Sequence, residues 1–129
     1  MNGAYNMPLD IRIDAGVVIL SNFARLMNDP RYIDAANDVR DLLDRGYESF
    51  VLDLGGVREV GSSFLGLLMT LTRRIQQSGG DAVLAHLGHE TEEILATMQM
   101  DDYWDVFKSV PEAIESCRRS RNGSQPEDR

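Results

Sequence analysis

Apolar and polar residues alternate from Ile11 to Ile13. A short β-branched run, Val17 to Leu20, follows the turn residues Asp14-Ala15-Gly16. Two such segments around a tight turn predict an opening β-hairpin. Ser21 to Pro30 is rich in Asn and Asp, ends on Pro, and reads as a loop. Asp29 then offers an N-cap, and Pro30 suits the first position of a helix. Ile33, Ala36, Val39, Leu42 and Leu43 recur at helical spacing, with Arg40, Asp41 and Asp44 between them and Gly46 as the stop.

Phe50-Val51-Leu52-Asp53-Leu54 is nearly continuous in apolar character, as a central strand covered on both faces requires. Gly55-Gly56 ends it, and Val57 to Val60 forms a short connector. A second helix opens at Gly61-Ser62-Ser63, with Phe64, Leu67, Leu68, Leu71, Thr72 and Ile75 on its inner side and Gly79-Gly80 as its stop. Asp81 to Leu87 predicts another strand. Glu90 to Met98 predicts a third helix, with Ile94, Leu95 and Met98 inward. Trp104 to Phe107 reads as a last short strand. Ser109-Val110-Pro111-Glu112 is a capping-box pattern that opens a final helix through about Cys117.

The order is β-β-α-β-α-β-α-β-α. Alternating strands and helices predict an α/β fold with a mixed, mostly parallel sheet of about five strands and about four helices. Residues 1–118 are expected to form one domain. The polar stretch 119–129 is expected to be a disordered tail.

Composition narrows the function classes. The 129 residues carry 21 acids against 13 Lys plus Arg, a net charge of -8. Such a surface repels phosphate backbones, so nucleic acid is not an expected partner. No apolar run approaches the ~18 residues of a membrane span, and the first residues lack the basic and apolar regions of an export signal. One cysteine, Cys117, cannot form an internal disulfide, and a reducing cytoplasm is the expected location.

Enzyme signals are weak. Gly61-Ser62-Ser63-Phe64-Leu65-Gly66 fails the spacing of a nucleophile elbow. The bases on offer are His86, placed in a strand, and His89, placed in the loop after it. Each reads more simply as a structural histidine. Their spacing alone does not make a zinc site, no metal or other cofactor is expected, and no catalytic residue is assigned. Gly79-Gly80 lacks the Lys-Ser/Thr of a phosphate loop. What remains is the Ser62-Ser63 step between a strand end and a helix start, where a hydroxyl faces free helix N–H groups. Two readings stand: Ser62 as an N-cap, or Ser62 as a phosphoacceptor.

Three segments carry a family resemblance: Phe50-Val51-Leu52-Asp53-Leu54-Gly55-Gly56-Val57, Val60-Gly61-Ser62-Ser63-Phe64-Leu65-Gly66-Leu67, and Arg74 through Leu84 with its Gly79-Gly80. Together they resemble the STAS domain of bacterial anti-sigma factor antagonists. The similarity runs from about Ile11 to Ser116. Members show an apolar strand ending in Asp-Leu, an Asp-Ser-Ser/Thr-Gly-Leu-Gly motif opening a helix, then Gly-Gly and a strand.

The resemblance implies partner switching. The unphosphorylated antagonist binds an anti-sigma factor that is also a serine kinase, and so releases a sigma factor for transcription. Phosphorylation breaks the complex, and a serine phosphatase restores the antagonist. Carried over by position, the phosphoacceptor is Ser62. Ser63, Leu65 and Gly66 match motif positions and are expected to line the docking surface, together with Gly61 and Phe64. The last two are departures: Gly61 stands in place of the motif aspartate, and Phe64 in place of the glycine after the serine pair. Phe64 is free to pack inward or to offer an apolar contact. The alternative function is a STAS scaffold without a switch, in a signalling assembly or a transporter complex, with Phe64 as an interface anchor.

Overall fold

The computed structural model describes residues 9–26, 34–58 and 60–123, with side chains to residue 119. The opening hairpin pairs β1 (Asp10–Asp14) antiparallel with β2 (Val17–Ser21). Its two-residue turn holds Ala15 at φ 55° and Gly16 at φ 82°. Both central residues at positive φ give the twist that a tight hairpin needs. From β2 onward every pairing is parallel: β3 (Ser49–Asp53), β4 (Asp81–Ala85) and the two-residue β5 (Val106–Phe107) follow in the order β1-β2-β3-β4-β5. The expected mixed, mostly parallel sheet is present, and the Phe50 strand is its centre.

Strand residues alternate between two cores. Val18, Leu20, Phe50, Leu52, Ala82 and Leu84 face one side, where α1 (Phe23–Leu26), α2 (Ala35–Asp44), α3 (Ser62–Gln77) and α4 (His89–Thr97) pack. Val17, Ile19, Val51, Val83 and Ala85 face the other side, where α5 (Val110–Gly123) contributes Ala113 and Ile114. Burial on both faces is why the strands read as apolar runs.

Several boundaries differ from the expectation. The Ser21–Pro30 loop contains a helical turn, α1, because Phe23 and Leu26 stand one turn apart and both reach the core with no exposure. The second helix is described from Ala35, with Asp34 before it making no side-chain cap. Asp29, Pro30 and Ile33 lie outside the described residues. Trp104 is not in a strand. It is buried, and its indole Nε1 donates to the hydroxyl of the equally buried Thr72 at 2.8 Å, which ties the α4–β5 connection to α3. Met98 is 50% exposed rather than inward, because α4 ends at Thr97 and the chain turns away. The last helix continues six residues past Cys117 and takes in the start of the polar stretch expected to be disordered. Arg118 pairs with Glu115 one turn back at 3.0 Å. Residues 124–129 lie outside the described residues.

Candidate functional site at the front of α3

The connection from β3 to α3 is anchored at its start. The Leu54 N–H donates to the Ala85 carbonyl at 3.0 Å, which extends the sheet by one rung. The Asp53 carboxylate accepts the Gly55 N–H at 2.9 Å and lies 3.4 Å from His86 Nδ1. His86 follows β4 directly and is held at φ 63°, so its ring leans over Gly55. A Cβ at position 55 would stand 2.5 Å from Nδ1, so any larger residue there displaces the ring from this position. Buried Leu54 and Val57 then pin the loop to the core.

The loop delivers Gly61 in extended geometry (φ -107°, ψ 179°) as the N-cap, and the Leu65 N–H closes the first turn on the Gly61 carbonyl at 3.1 Å. Ser62 is thus the first helical residue, not the cap. Its side chain is exposed and forms no hydrogen bond with another described residue. Ser63 and Gly66 are also exposed, and a Cβ at Gly66 would meet nothing within 4 Å.

Phe64 and Leu65 behave otherwise. They are 3% and 5% exposed and belong to the core. The Phe64 ring meets Phe23 edge to face, with centroids 6.0 Å apart and planes at 72°. This corrects the expectation that Leu65 lines the docking surface, and of the two courses open to Phe64 it is the inward one that is taken: the 100° step of the helix turns 64 and 65 inward while 62, 63 and 66 stay outside. Phe64 therefore staples α1 to α3 and is not an exposed anchor. The inner side expected of this helix, Phe64, Leu67, Leu68, Leu71, Thr72 and Ile75, is buried throughout.

The first turn of α3 carries no acid, whereas α2 has Asp38, α4 has Glu90 and Glu92, and α5 has Glu112 in theirs. Acids there are favoured by the helix dipole, so α3 leaves its positive end uncompensated. Beside the site, Arg58, Val60, Glu90, Glu93 and Ile94 line an open groove of about 590 Å³ between the β3–α3 loop and α4. The sequence gives no sign of this groove, since Arg58 and Val60 meet Glu90, Glu93 and Ile94 only through the crossover. Phe23 falls in the stretch that reads as loop, although its apolar spacing with Leu26 is a signal for a helical turn.

His86 and His89 do not form a joint site. His86 follows its strand rather than lying in it, and His89 opens α4 rather than sitting in a loop, with Nε2 3.1 Å from Glu93. Among the described residues no group of three or more His, Cys, Asp or Glu is placed to hold a metal ion, and no helix is long and apolar enough to cross a membrane.

Residues 23–113 match the STAS domain family. The chain belongs to that family. A Thermotoga maritima relative named "Putative anti-sigma factor antagonist" is 28% identical over 79 residues, 61% of this chain and 70% of that one. The crystal structure described as that organism's "putative anti-sigma factor antagonist" superposes on this STAS domain with a TM-score of 0.69 at 26% identity, over 86% of this chain and 95% of the other. A Planctomyces limnophilus protein described as an anti-sigma-factor antagonist (STAS) domain protein shares the fold with a TM-score of 0.70 at 20% identity, over 85% and 97% of the two chains.

Proposed function

We infer that this STAS domain is a cytoplasmic anti-sigma factor antagonist that works by partner switching. Unphosphorylated, it binds an anti-sigma factor with serine kinase activity. Phosphorylation of Ser62 releases that partner, and a serine phosphatase resets the domain. The observation that carries this reading is the exposed Ser62 hydroxyl, without a partner among the described residues, at the acid-free first turn of α3. A phosphoryl group there adds about -1.5 to -2 charges beside free backbone N–H groups, which the helix dipole accommodates, so the fold is kept.

Gly66 supports a docking surface at the same place. Glycine inside a helix costs roughly 0.5–1 kcal/mol relative to alanine. Nothing in the described molecule crowds its missing Cβ. On this reading the glycine serves the close approach of a partner's backbone. An interface closed over a neutral hydroxyl then has to bury or expel an unpaired dianion, which costs on the order of 2–5 kcal/mol of binding.

The test is a titration with the kinase partner recovered from the native host. Ser62→Ala retains the affinity of the natural protein, and Ser62→Asp weakens it at least tenfold, about 1.4 kcal/mol. Equal affinities for the two variants reject the switch. Gly61, which removes a carboxylate from beside the acceptor, favours the second reading, a STAS scaffold without a switch. Phosphoproteomics of the native host separates the two: stoichiometric phosphate on Ser62 under some growth condition supports switching, and its persistent absence supports the scaffold.

A further inference from the structure

The outward face of α3 continues well past Ser62. Ser62, Gly66, Thr70, Arg73 and Gln77 are all exposed and fall within an arc of about 100° at 3.6 residues per turn. The first half of this face is small and uncharged. The second half holds Arg73, with Thr70, Arg73, Arg74 and Gln77 lining a shallow hollow of about 240 Å³. Neither arginine forms an ion pair with a described residue.

Charge along the chain makes this face unusual. In a chain of net charge -8, the 21 residues from Val60 to Gly80 contain Arg73 and Arg74 and no acid at all. The helix dipole explains a cation near the C-terminus of α3, but it favours acids at the N-terminus, where there are none. Surface acids near a docking site repel an acidic partner, and exposed arginines attract one.

We propose that the partner which seats over Ser62 also lays an acidic segment along the rear of α3, on Arg73 and Arg74. This rests on the partner-switching reading and adds the chemistry of the bound surface. Three turns of helix separate Ser62 from Arg73, about 16 Å, so one partner surface spans both. Its front meets small, uncharged residues that admit close approach, and its rear meets two guanidinium groups. The charges set orientation and association rate, while the front sets the switch.

Site-specific photocross-linking tests it. A benzophenone side chain replaces Ser63 at the front, Gln77 at the rear, or Arg118 on α5 across the sheet, each in the full chain. After irradiation in native lysate, the cross-linked peptides are sequenced. Positions 63 and 77 are expected to capture the same protein, with the position-77 peptides drawn from an acidic stretch. Arg73→Glu combined with Arg74→Glu is expected to cut that capture roughly tenfold at low salt. Neutral or basic peptides from position 77, or unchanged capture by the double variant, overturn the acidic segment while leaving the Ser62 reading intact. Absence of a cross-link from both position 63 and position 77, or capture from position 118 alone, overturns both.

Discussion

The two faces of one sheet have different covers. Val17 and Val18 are neighbours in β2 and both are fully buried, yet they belong to different cores. On the Val18 side, α1 through α4 and Trp104 build a layer that locks together sideways: Phe23 meets Phe64, and Trp104 meets Thr72. On the Val17 side, among the described residues, α5 alone spans β2, β3, β4 and β5. The multi-helix side can afford an exposed rim, because its interior holds the front of α3 from below. Among the described residues, the single-helix side contains no such support. The candidate site sits where a loop and a helix start are fixed by several elements, which is what a rigid docking surface requires.

The sharpest way to break this comparison is Phe64→Ala. The loss of the α1–α3 staple is expected to cost about 3–5 kcal/mol in urea unfolding. A loss below 1 kcal/mol means that Phe64 is not a core residue and restores it as a surface contact. Val18→Ala against Val17→Ala compares the same chemistry on the two faces. We expect about 2–3 kcal/mol for Val18 and about 1–2 for Val17, since a single helix relaxes into a cavity more readily than an interlocked layer. Equal losses remove the distinction. Gly66→Ala is expected to stabilise the domain by roughly 0.5–1 kcal/mol while weakening partner binding. A destabilised variant shows that the glycine serves the fold.

The smallest effect concerns Asp38, in the first turn of α2, whose Oδ2 is shut from solvent without a hydrogen-bond partner among the described residues. Burial, then the charges of Asp34 and Asp41, push its carboxyl above the ordinary value of 3.8. The folded state therefore favours the protonated acid. The penalty is absent below pH 3.8 and grows as pH rises through the raised value. Asp38→Asn is expected to raise Tm at pH 7, with the gain shrinking towards pH 4. A gain independent of pH assigns the effect to packing instead.

Much of this architecture is legible in the amino-acid sequence. The apolar runs Val17–Leu20, Phe50–Leu54 and Ala82–Ala85 announced strands covered on both faces, because a strand with one wet face must alternate. The glycine pairs after β3 and α3 announced breaks. The Gly61-Ser62-Ser63 step and its resemblance to the STAS motif pointed to the front of α3. Boundaries were less legible: Phe23 and Leu26 lie in a stretch whose Asn and Asp content reads as loop, and only the space beneath α3 makes a helical turn of it. Trp104 has strand propensity, but its indole N–H found Thr72 instead.

By itself the sequence determined the order of strands and helices apart from α1, the mostly parallel sheet, the family motif and the serine at its centre, since these depend on local periodicity and residue type. Tertiary structure alone decided that Gly61, not Ser62, caps the helix, that Leu65 turns inward, and that Val60 and Ile94 line one groove. Which side of a helix is wet depends on what packs against it, and those neighbours come from distant parts of the chain.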